Sequence, residues 1–371
     1  MERSNPMITH GVGKAIWTTG AILLTIIQLP IWLVYFLPTP LRQHPKWTYR
    51  QALMNKIMRT MMYHCSLVEV RTPLSLEPGA EKDCFVMIPP QNEDFYRGIL
   101  VDARIQPAVI GATWFPSVYK SGSDNGLDVV LYFHGGGFVM GEGRSGVTQF
   151  AASKLSKSFN NAKVLSFSYR ISSNPNCQFP AALQDAVTAY QYLLDQGIDA
   201  NHIIFAGDSA GCNIAIALLR YIADNEQLLP SPLAAVLSSP WIDVASACDN
   251  AKLTRQCNTK TDFVPSVLQA WGARTYVPKN MDVANPYISP NKQPFRSKTV
   301  FWICVGGLES LRDEGLAFAD AMRKVVGNRV EVYVVEFGNH AVLGVGNITG
   351  FTAEAEKAVA DAAEVILGAR G

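Results

Sequence analysis

The chain of 371 residues is long enough for one large domain or two ordinary ones, and with 48% hydrophobic residues it can bury a substantial core. Lys and Arg number 32 against 31 Asp and Glu, so the formal net charge of +1 gives no field that would attract nucleic acid or a strongly charged substrate. Seven cysteines without a CxxC pair and six histidines without HExxH spacing predict neither a disulfide framework nor a metal site. We therefore expect a globular protein that acts on an uncharged substrate and needs no cofactor.

A stretch of 23 residues without a charge, residues 15–37, comes near the N-terminus. Only Gln28 and Pro30 interrupt it, and it is long enough to cross a bilayer as a helix. A cleaved signal peptide is the alternative, but its apolar region should be shorter and end in a small-residue cleavage site. The sequence predicts a single-pass membrane anchor in residues 1–40, which we expect in the endoplasmic reticulum.

The charges around this segment bear on its orientation. Five basic residues follow it between Arg42 and Arg59, and two precede it. The positive-inside bias therefore places the C-terminal body in the cytosol. The sequon Asn-Ile-Thr at Asn347 would matter only if that body were lumenal.

Beyond the anchor, strand-like and helix-like stretches alternate. Apolar, strand-like runs occupy residues 128–133, 162–170, 202–207, 233–239, 299–307 and 329–337. Helical patterns occupy residues 180–196 and 210–224 and begin again near Leu311 and Thr352. Continuous apolar strands separated by helices are typical of a mostly parallel sheet covered on both faces, so residues 41–371 are predicted to form one α/β domain.

The alternation lapses in two places, residues 45–79 and 242–298. Both are irregular stretches with few strand signals. Insertions above such a sheet can form a lid, so we expect these segments to build a helical cap.

The motif GDSAG, residues 207–211, lies between a predicted strand and a predicted helix and fits the pattern G-x-S-x-G. Glycines are needed on both sides because the serine sits on a sharp turn where other side chains would collide with the strand or the helix. The turn raises Ser209 above the sheet, and the helix behind it offers backbone N–H groups to a developing anion. The alternative is a turn that merely caps the helix.

A second motif, HGGGF, residues 134–138, directly follows the run LDVVLYF. Three consecutive glycines weaken any helix or strand, so local stability does not explain them. An acyl-transfer site needs donors opposite the serine, and glycine amides can approach a substrate oxygen without steric hindrance. The two motifs together favour a nucleophilic serine over a simple helix cap.

These motifs, with SPWIDV at 239–244, LESLRDEG at 308–315 and GNHAV at 338–342, occur in the order and approximate spacing of a known family. The chain resembles the hormone-sensitive-lipase branch of the α/β-hydrolases, which includes arylacetamide deacetylases and fungal sterol acetate deacetylases. The likeness covers residues 127–345, about three fifths of the chain. It implies an α/β-hydrolase fold with an oxyanion hole at Gly136 and Gly137, with Gly135 adjacent, and at the amide of Ala210.

A catalytic triad also needs an acid and a histidine, in the chain order serine, acid, histidine. His340 follows the last predicted strand, in the loop where such folds deliver the general base. Glu309 follows the preceding strand, at the position where the family most often has aspartate. Asp313 is the second choice for the acid, although Asp313 and Glu314 fall in a first helical turn and could simply complement its dipole.

The sequence GEGRSG, residues 141–146, also satisfies G-x-G-x-x-G. It does not directly end a strand, and no acidic residue follows at the distance that a ribose contact needs. We expect it to continue the glycine loop toward the next helix rather than to bind a dinucleotide.

The sequence thus predicts a serine carboxylesterase or deacetylase that hydrolyses a lipophilic, uncharged ester, such as that of a sterol, a terpenoid or another secondary metabolite. It predicts no nucleic-acid partner and no obligate protein partner. Two alternatives stay open: a non-hydrolytic enzyme that performs a condensation or cyclisation in secondary metabolism, and a catalytically silent receptor. A complete set of Ser209, Glu309 and His340 argues against the receptor, because binding alone does not need all three.

Overall fold

The structure of the protein, a computed structural model, describes residues 6–253 and 255–370. In these residues the helices are α1 (Pro6–Thr9), α2 (Gly11–Tyr35), α3 (Tyr49–Leu67), α4 (Ser145–Ser158), α5 (Ala181–Asp195), α6 (Ala210–Asp224), α7 (Asn250–Leu253), α8 (Ser266–Tyr276), α9 (Arg312–Arg323), α10 (Val342–Thr349) and α11 (Thr352–Gly368). The strands are β1 (Phe85–Ile88), β2 (Ile110–Phe115), β3 (Val129–Phe133), β4 (Lys163–Ser168), β5 (Ile203–Asp208), β6 (Ala234–Ser238), β7 (Val300–Gly306) and β8 (Arg329–Val335).

The eight strands of the described residues form one sheet in the order β1-β2-β4-β3-β5-β6-β7-β8. From β4 to β8 every pairing is parallel, whereas β1 and β2 join antiparallel at one edge. The prediction of a mostly parallel sheet is confirmed. The two antiparallel edge strands were not predicted, because their runs are short and lack a surrounding helical pattern.

Helices cover both faces of the sheet because side chains alternate along each strand. Leu131 and Phe133 of β3 belong to one buried apolar cluster, which includes α5 and α6. Val130 and Tyr132 of the same strand belong to the other cluster, with residues of α4 and α11. The carboxyl ends of the parallel strands therefore form one edge, where the loops carrying the sequence motifs meet.

The N-terminal helix α2 lies antiparallel to α3. Near its start, Nζ of Lys14 donates to the carbonyl of Glu69, just beyond α3, at 3.2 Å. Near its end, the carbonyl of Leu33 accepts from the hydroxyl of Tyr49 at 2.9 Å. Among the described helices α2 alone is long and apolar enough to cross a membrane: its mean hydropathy is 1.7, and 6% of its most apolar stretch is buried.

The two predicted cap segments contain helices. Residues 45–79 hold α3, which begins with a capping box: Thr48 accepts from the N–H of Gln51, and the Gln51 side chain accepts from the N–H of Thr48. Residues 242–298 hold α7 and α8. Helix α3 packs against α8 and α10, so the two segments lie side by side.

Candidate active site

Ser209 lies on the sharp turn between β5 and α6. Its backbone has φ 54° and ψ −119°. A residue other than glycine adopts this conformation only where the surrounding structure holds its backbone in place. Its N–H donates to the carbonyl of Ser238 at 3.0 Å, and its carbonyl accepts from Trp241 at 3.2 Å. Both contacts come from β6 and the residues after it, so the neighbouring strand fixes the turn.

The glycines around Ser209 are required by close backbone contacts. A Cβ on Gly207 would lie 2.7 Å from the carbonyl oxygen of Phe133, and one on Gly211 would collide with the same carbonyl. The carbonyl oxygen of His134, the first residue of HGGGF, would also lie 2.6 Å from a Cβ on Gly211. The GDSAG turn and the HGGGF loop therefore pack backbone to backbone.

The side chain of His134 packs inside the protein and holds the glycine loop. Its ring is buried and stacks on Tyr169 with centroids 4.1 Å apart, and Nδ1 lies 2.8 Å from the carbonyl oxygen of Gly135. Burial lowers the pKa of His134 to about 4, so its ring is neutral and Nδ1 donates to that carbonyl. This hydrogen bond fixes the conformation of the loop.

The three predicted loop glycines lie in different surroundings. A Cβ on Gly135 would collide with Oδ2 of the buried Asp208, whose other carboxylate oxygen accepts from the hydroxyl of Tyr132 at 2.6 Å. Gly136 and Gly137 have φ of 113° and 63°, which favour glycine. In residues 6–253 and 255–370, the N–H groups of Gly136, Gly137 and Ala210 bond to no protein acceptor. These three N–H groups are therefore candidates for an oxyanion hole, as the sequence predicts.

Glu309 and His340 form a buried pair. Oε2 of Glu309 lies 2.9 Å from Nδ1 of His340, and its Oε1 accepts from the N–H of Gly306 at 2.9 Å. Glu309 is 0% exposed and His340 3%. The longer side chain of glutamate therefore still reaches the imidazole, and it orients the ring with Nε2 away from the carboxylate.

Burial and charge act in opposite directions on His340. Burial alone would lower the pKa of the ring, but the hydrogen bond that the ring donates to Glu309 and the nearby negative charges of Asp262, Glu309 and Asp208 raise it above its ordinary value of 6.5. Burial raises the pKa of Glu309, while its contact with His340 opposes that rise. The site is thus arranged to stabilise a positive charge on the imidazole.

Ser209 and His340 line the same cavity, of about 580 Å³. Gly136 and Gly137 line it as well. Both predicted cap segments contribute apolar side chains: Met58, Met61 and Met62 from α3, and Phe263, Val264 and Leu268 from residues 242–298. Asn347, of the sequon, is exposed and lies at the cavity rim. The cavity is therefore apolar above the polar serine.

A family sequence model described as alpha/beta hydrolase fold matches residues 130–344, more than half of the chain. The protein is a member of the α/β-hydrolase family. One similar solved structure is described as an esterase of the bacterial hormone-sensitive-lipase family, the predicted branch; it is 23% identical with a TM-score of 0.57, over 91% and 97% of the two chains.

Curated relatives of this α/β hydrolase are named as ester-cleaving enzymes. An acetyl-hydrolase of Streptomyces hygroscopicus is 34% identical over 195 residues, 53% of this chain and 62% of that protein. An esterase of Acinetobacter venetianus is 27% identical over 306 residues, 80% of this chain and 91% of that protein. The first curated relatives are matched over about three fifths of their own length, 62% in both cases.

Solved structures share the fold. The esterase EstE5, soaked with p-nitrophenyl butyrate, is 25% identical with a TM-score of 0.60, and the match covers 86% of this chain and 98% of that one. A hyperthermophilic esterase of the archaeon Pyrobaculum calidifontis is 24% identical with a TM-score of 0.60, over 92% and 96% of the two chains.

The second candidate for the acid lies elsewhere in this α/β hydrolase. The carboxylate of Asp313 is 64% exposed and pairs with Arg312 at 2.8 Å. Glu314 has a different role from the one expected for a dipole charge, since its Oε1 accepts from the N–H groups of Ile242 and Asp243 at 2.7 and 3.1 Å. Burial raises the pKa of Glu314 to about 8. It supports the loop after β6.

Ser239 is a site residue that sequence reasoning missed. It is buried, its φ is 51°, and its hydroxyl accepts from the N–H of Ala341 at 2.8 Å. The Ser239 hydroxyl also opposes the rise that burial causes in the pKa of Glu309. Ser239 therefore supports the backbone beside His340. The motif SPWIDV contains it, but nothing local in the sequence assigns this contact.

The segment GEGRSG runs from the glycine loop into α4, which begins at Ser145. The N–H of Gly143 donates to the hydroxyl of Ser168 at 2.9 Å, and Arg144 pairs with Glu81 at 2.9 Å. Protein contacts thus occupy this segment, consistent with a connection to α4 rather than a dinucleotide site.

Proposed function

We propose that the protein is a serine carboxylic ester hydrolase in which Ser209 is the nucleophile, His340 the base and Glu309 the acid. The observation that carries this proposal is the buried pair of Glu309 and His340 beside a cavity that also contains Ser209. The esterases and acetyl-hydrolases among the relatives support the same reaction class.

In the proposed mechanism, Oγ of Ser209 attacks the ester carbonyl while Nε2 of His340 takes its proton. Glu309 keeps the other ring nitrogen protonated and stabilises the imidazolium. The free N–H groups of Gly136, Gly137 and Ala210 donate to the oxyanion of the tetrahedral intermediate. His340 then protonates the leaving alcohol, and a water molecule activated by the same histidine releases the acid from the acyl-enzyme.

We propose a lipophilic, uncharged ester as the substrate. Methionine and aromatic side chains line the cavity, and unbranched methionines adapt to bulky apolar ligands of varied shape. The acetyl-hydrolase relatives favour a short acyl group, which makes a bulky lipophilic alcohol, such as a sterol, a terpenoid or another secondary metabolite, the larger part of the substrate.

We further propose that α2 associates with a membrane, because its outward side chains, such as Ile22, Ile26 and Ile27, are apolar and exposed. Helix α3 contacts α2 and also lines the cavity. A substrate dissolved in the bilayer then has a short path to Ser209. The prediction that α2 spans the membrane, with the body in the cytosol, stays a prediction.

Hydrolysis is tested by running the reaction in water labelled with heavy oxygen and analysing the acid product by mass spectrometry. One labelled oxygen in the acid is expected, because water cleaves the acyl-enzyme. A product that joins or cyclises the substrate without solvent oxygen would favour the condensation alternative. The Ser209→Ala variant is the control, since it separates enzymatic from spontaneous hydrolysis.

A further inference from the structure

Asp262, between α7 and α8, carries a buried carboxylate that the mechanism above does not use. It is 0% exposed. Oδ2 accepts from the N–H and the hydroxyl of Ser310 at 2.6 and 2.7 Å, and Oδ1 accepts from the N–H of Val264 at 2.8 Å. In the part of the chain that the structure describes, no ion pair joins a basic side chain to this carboxylate, and Arg59 donates only to the backbone carbonyl of Asp262.

A buried carboxylate without a cation is costly, so its retention calls for a reason. Three neutral donors satisfy part of its hydrogen-bonding capacity but do not neutralise it. The nearby group that becomes cationic during the proposed reaction is the imidazole of His340. The ring of Phe263, the next residue, contacts that imidazole edge to face with centroids 5.7 Å apart.

Residues 258–262, the segment that includes Asp262, form hydrogen bonds with residues 307–310, the loop that includes Glu309. Nδ2 of Asn258 donates to the carbonyls of Gly307 and Glu309, each at 3.1 Å. The hydroxyl of Thr261 donates to the carbonyl of Leu308 at 2.8 Å. With the contacts of Asp262 to Ser310, four consecutive residues of the acid loop, 307–310, bond to residues 258–262. The position of Glu309 therefore depends on this part of the predicted cap.

Three carboxylates act on His340 from different elements. Glu309 follows β7, Asp208 ends β5, and Asp262 belongs to the segment between α7 and α8. All three negative charges raise the pKa of the imidazole. Asp208 already accepts from the hydroxyl of Tyr132, and Glu309 contacts the ring directly, whereas Asp262 acts on the ring only through space.

We propose that Asp262 is a positioning residue of the catalytic site: it fixes Glu309 through Ser310 and supplies a further negative charge that favours the imidazolium form of His340. The inference rests on the proposed function, since it assumes that His340 is the base. It assigns to the cap segment a part in the chemistry as well as in covering the substrate.

The test compares Asp262→Asn with the unmodified full-length chain in hydrolysis of p-nitrophenyl butyrate across pH. Asparagine keeps the size of the side chain but removes the charge. We expect the acid limb of the kcat/KM profile to move to lower pH, because a histidine with less negative charge nearby has a lower pKa. At the pH plateau, kcat should fall at least about tenfold, with KM within about twofold.

Two further variants separate charge from packing. Asp262→Glu retains the charge and should keep the acid limb in place even if kcat falls. Ser310→Ala removes one contact of the carboxylate without removing its charge, so its acid limb should also stay. If Asp262→Asn does not fold, Asp262→Ser, which keeps a hydroxyl near the N–H of Ser310, carries the same expectation of a shifted limb.

A lowered kcat with an unmoved acid limb in Asp262→Asn would overturn the inference and leave Asp262 a structural residue. Asp320→Asn is the control, because that acid is exposed and paired with Lys324 and takes no part in the proposed mechanism. It should move neither kcat nor the limb. Failure of the proposed function is distinguishable, since the unmodified protein would then show no turnover that depends on Ser209.

Discussion

Oε2 of Glu309 lies 2.9 Å from Nδ1 of His340, and neither side chain has appreciable contact with solvent. The other oxygen of the carboxylate is bound to the N–H of Gly306, so the acid has little freedom to rotate. A glutamate in place of the usual aspartate is accommodated because its loop holds it from several sides.

Glu309→Gln should reduce turnover by about a thousandfold or more, because the amide can present N–H to the ring and favour the wrong tautomer. Ester binding and folding should change little. The measurement is kcat on p-nitrophenyl butyrate alongside a thermal melt. Asp313→Asn is the matched variant and should stay within about twofold, since dipole effects at a helix start amount to about 0.3–1 kcal/mol. A nearly active Glu309→Gln with an inactive, folded Asp313→Asn would move the acid to Asp313.

Ser209→Ala should lower ester hydrolysis at least about a thousandfold, because it removes the nucleophile while the oxyanion donors remain. The melting temperature should not fall. Alanine keeps the backbone hydrogen bonds of the turn, and in the described residues the Ser209 side chain forms no cap hydrogen bond that would be lost. Steady-state kinetics with active-site titration of the unmodified protein checks this. Retention of more than a few per cent of activity would exclude Ser209 as the nucleophile.

The raised pKa of His340 predicts where activity is lost on acidification. The base must be neutral to accept the serine proton, and its pKa lies above 6.5 because Glu309 and Asp262 outweigh the effect of burial. Activity should therefore be full well above this pKa and fall as the pH drops through it. A profile of kcat/KM on a neutral ester, between about pH 5 and 9, measures the midpoint. A midpoint below 6.5 would contradict the proposed electrostatics.

Gly136→Ala should damage both stability and turnover. Its φ of 113° is unfavourable for alanine, and the added Cβ would collide with the carbonyl of Met140. We expect a stability loss of about 1–3 kcal/mol and a fall in kcat of about a hundredfold, because the oxyanion donors shift. Gly368→Ala, where nothing lies within 4 Å of the added Cβ, serves as the control and should be silent in both assays.

Removing residues 1–40 should release the protein from membranes and leave it able to cleave a soluble ester, because the sheet begins at Phe85. The structure adds a refinement: Trp32 and Phe36 are buried with Trp47, so this deletion strips part of a packed cluster. A shorter deletion of residues 1–29 should be equally soluble but melt at a higher temperature, as losing a buried aromatic side chain costs about 3–5 kcal/mol. Membrane flotation and thermal melts compare the two. Equal melting temperatures would show that this cluster adds little.

The parallel sheet, Ser209 and the glycine loop could be predicted from the sequence because each requires a recognisable pattern of neighbouring residues. Strands leave apolar runs, and the turn leaves glycines at Gly207 and Gly211, where backbone contacts exclude any side chain. The proposed base and acid, His340 and Glu309, could be predicted from their places after two strands. In each case a constraint acts on neighbouring residues in the chain.

The residues that support the site, such as Ser239 and Asp262, belong to no such local pattern. Ser239 contacts a residue 102 positions away, and Asp262 contacts one 48 positions away. Their environments depend on how distant loops meet above the sheet, which no spacing in the sequence encodes. The 19-residue helix α3 was likewise expected only as an irregular part of a cap, since its apolar face is interrupted by Lys56 and Arg59.

Asn347 links the side of the membrane on which the catalytic body lies to the access of substrate to its cavity. An oligosaccharide attached at this exposed position would stand directly beside the cavity that contains Ser209. Thr349, the third residue of the sequon, is buried and bonded within α10, so sugar transfer would have to precede folding of that helix. If the catalytic body faced the lumen, a sugar chain on Asn347 would therefore hinder access of the substrate to the cavity. If the body faced the cytosol, Asn347 would not be glycosylated, because the transferase acts in the lumen.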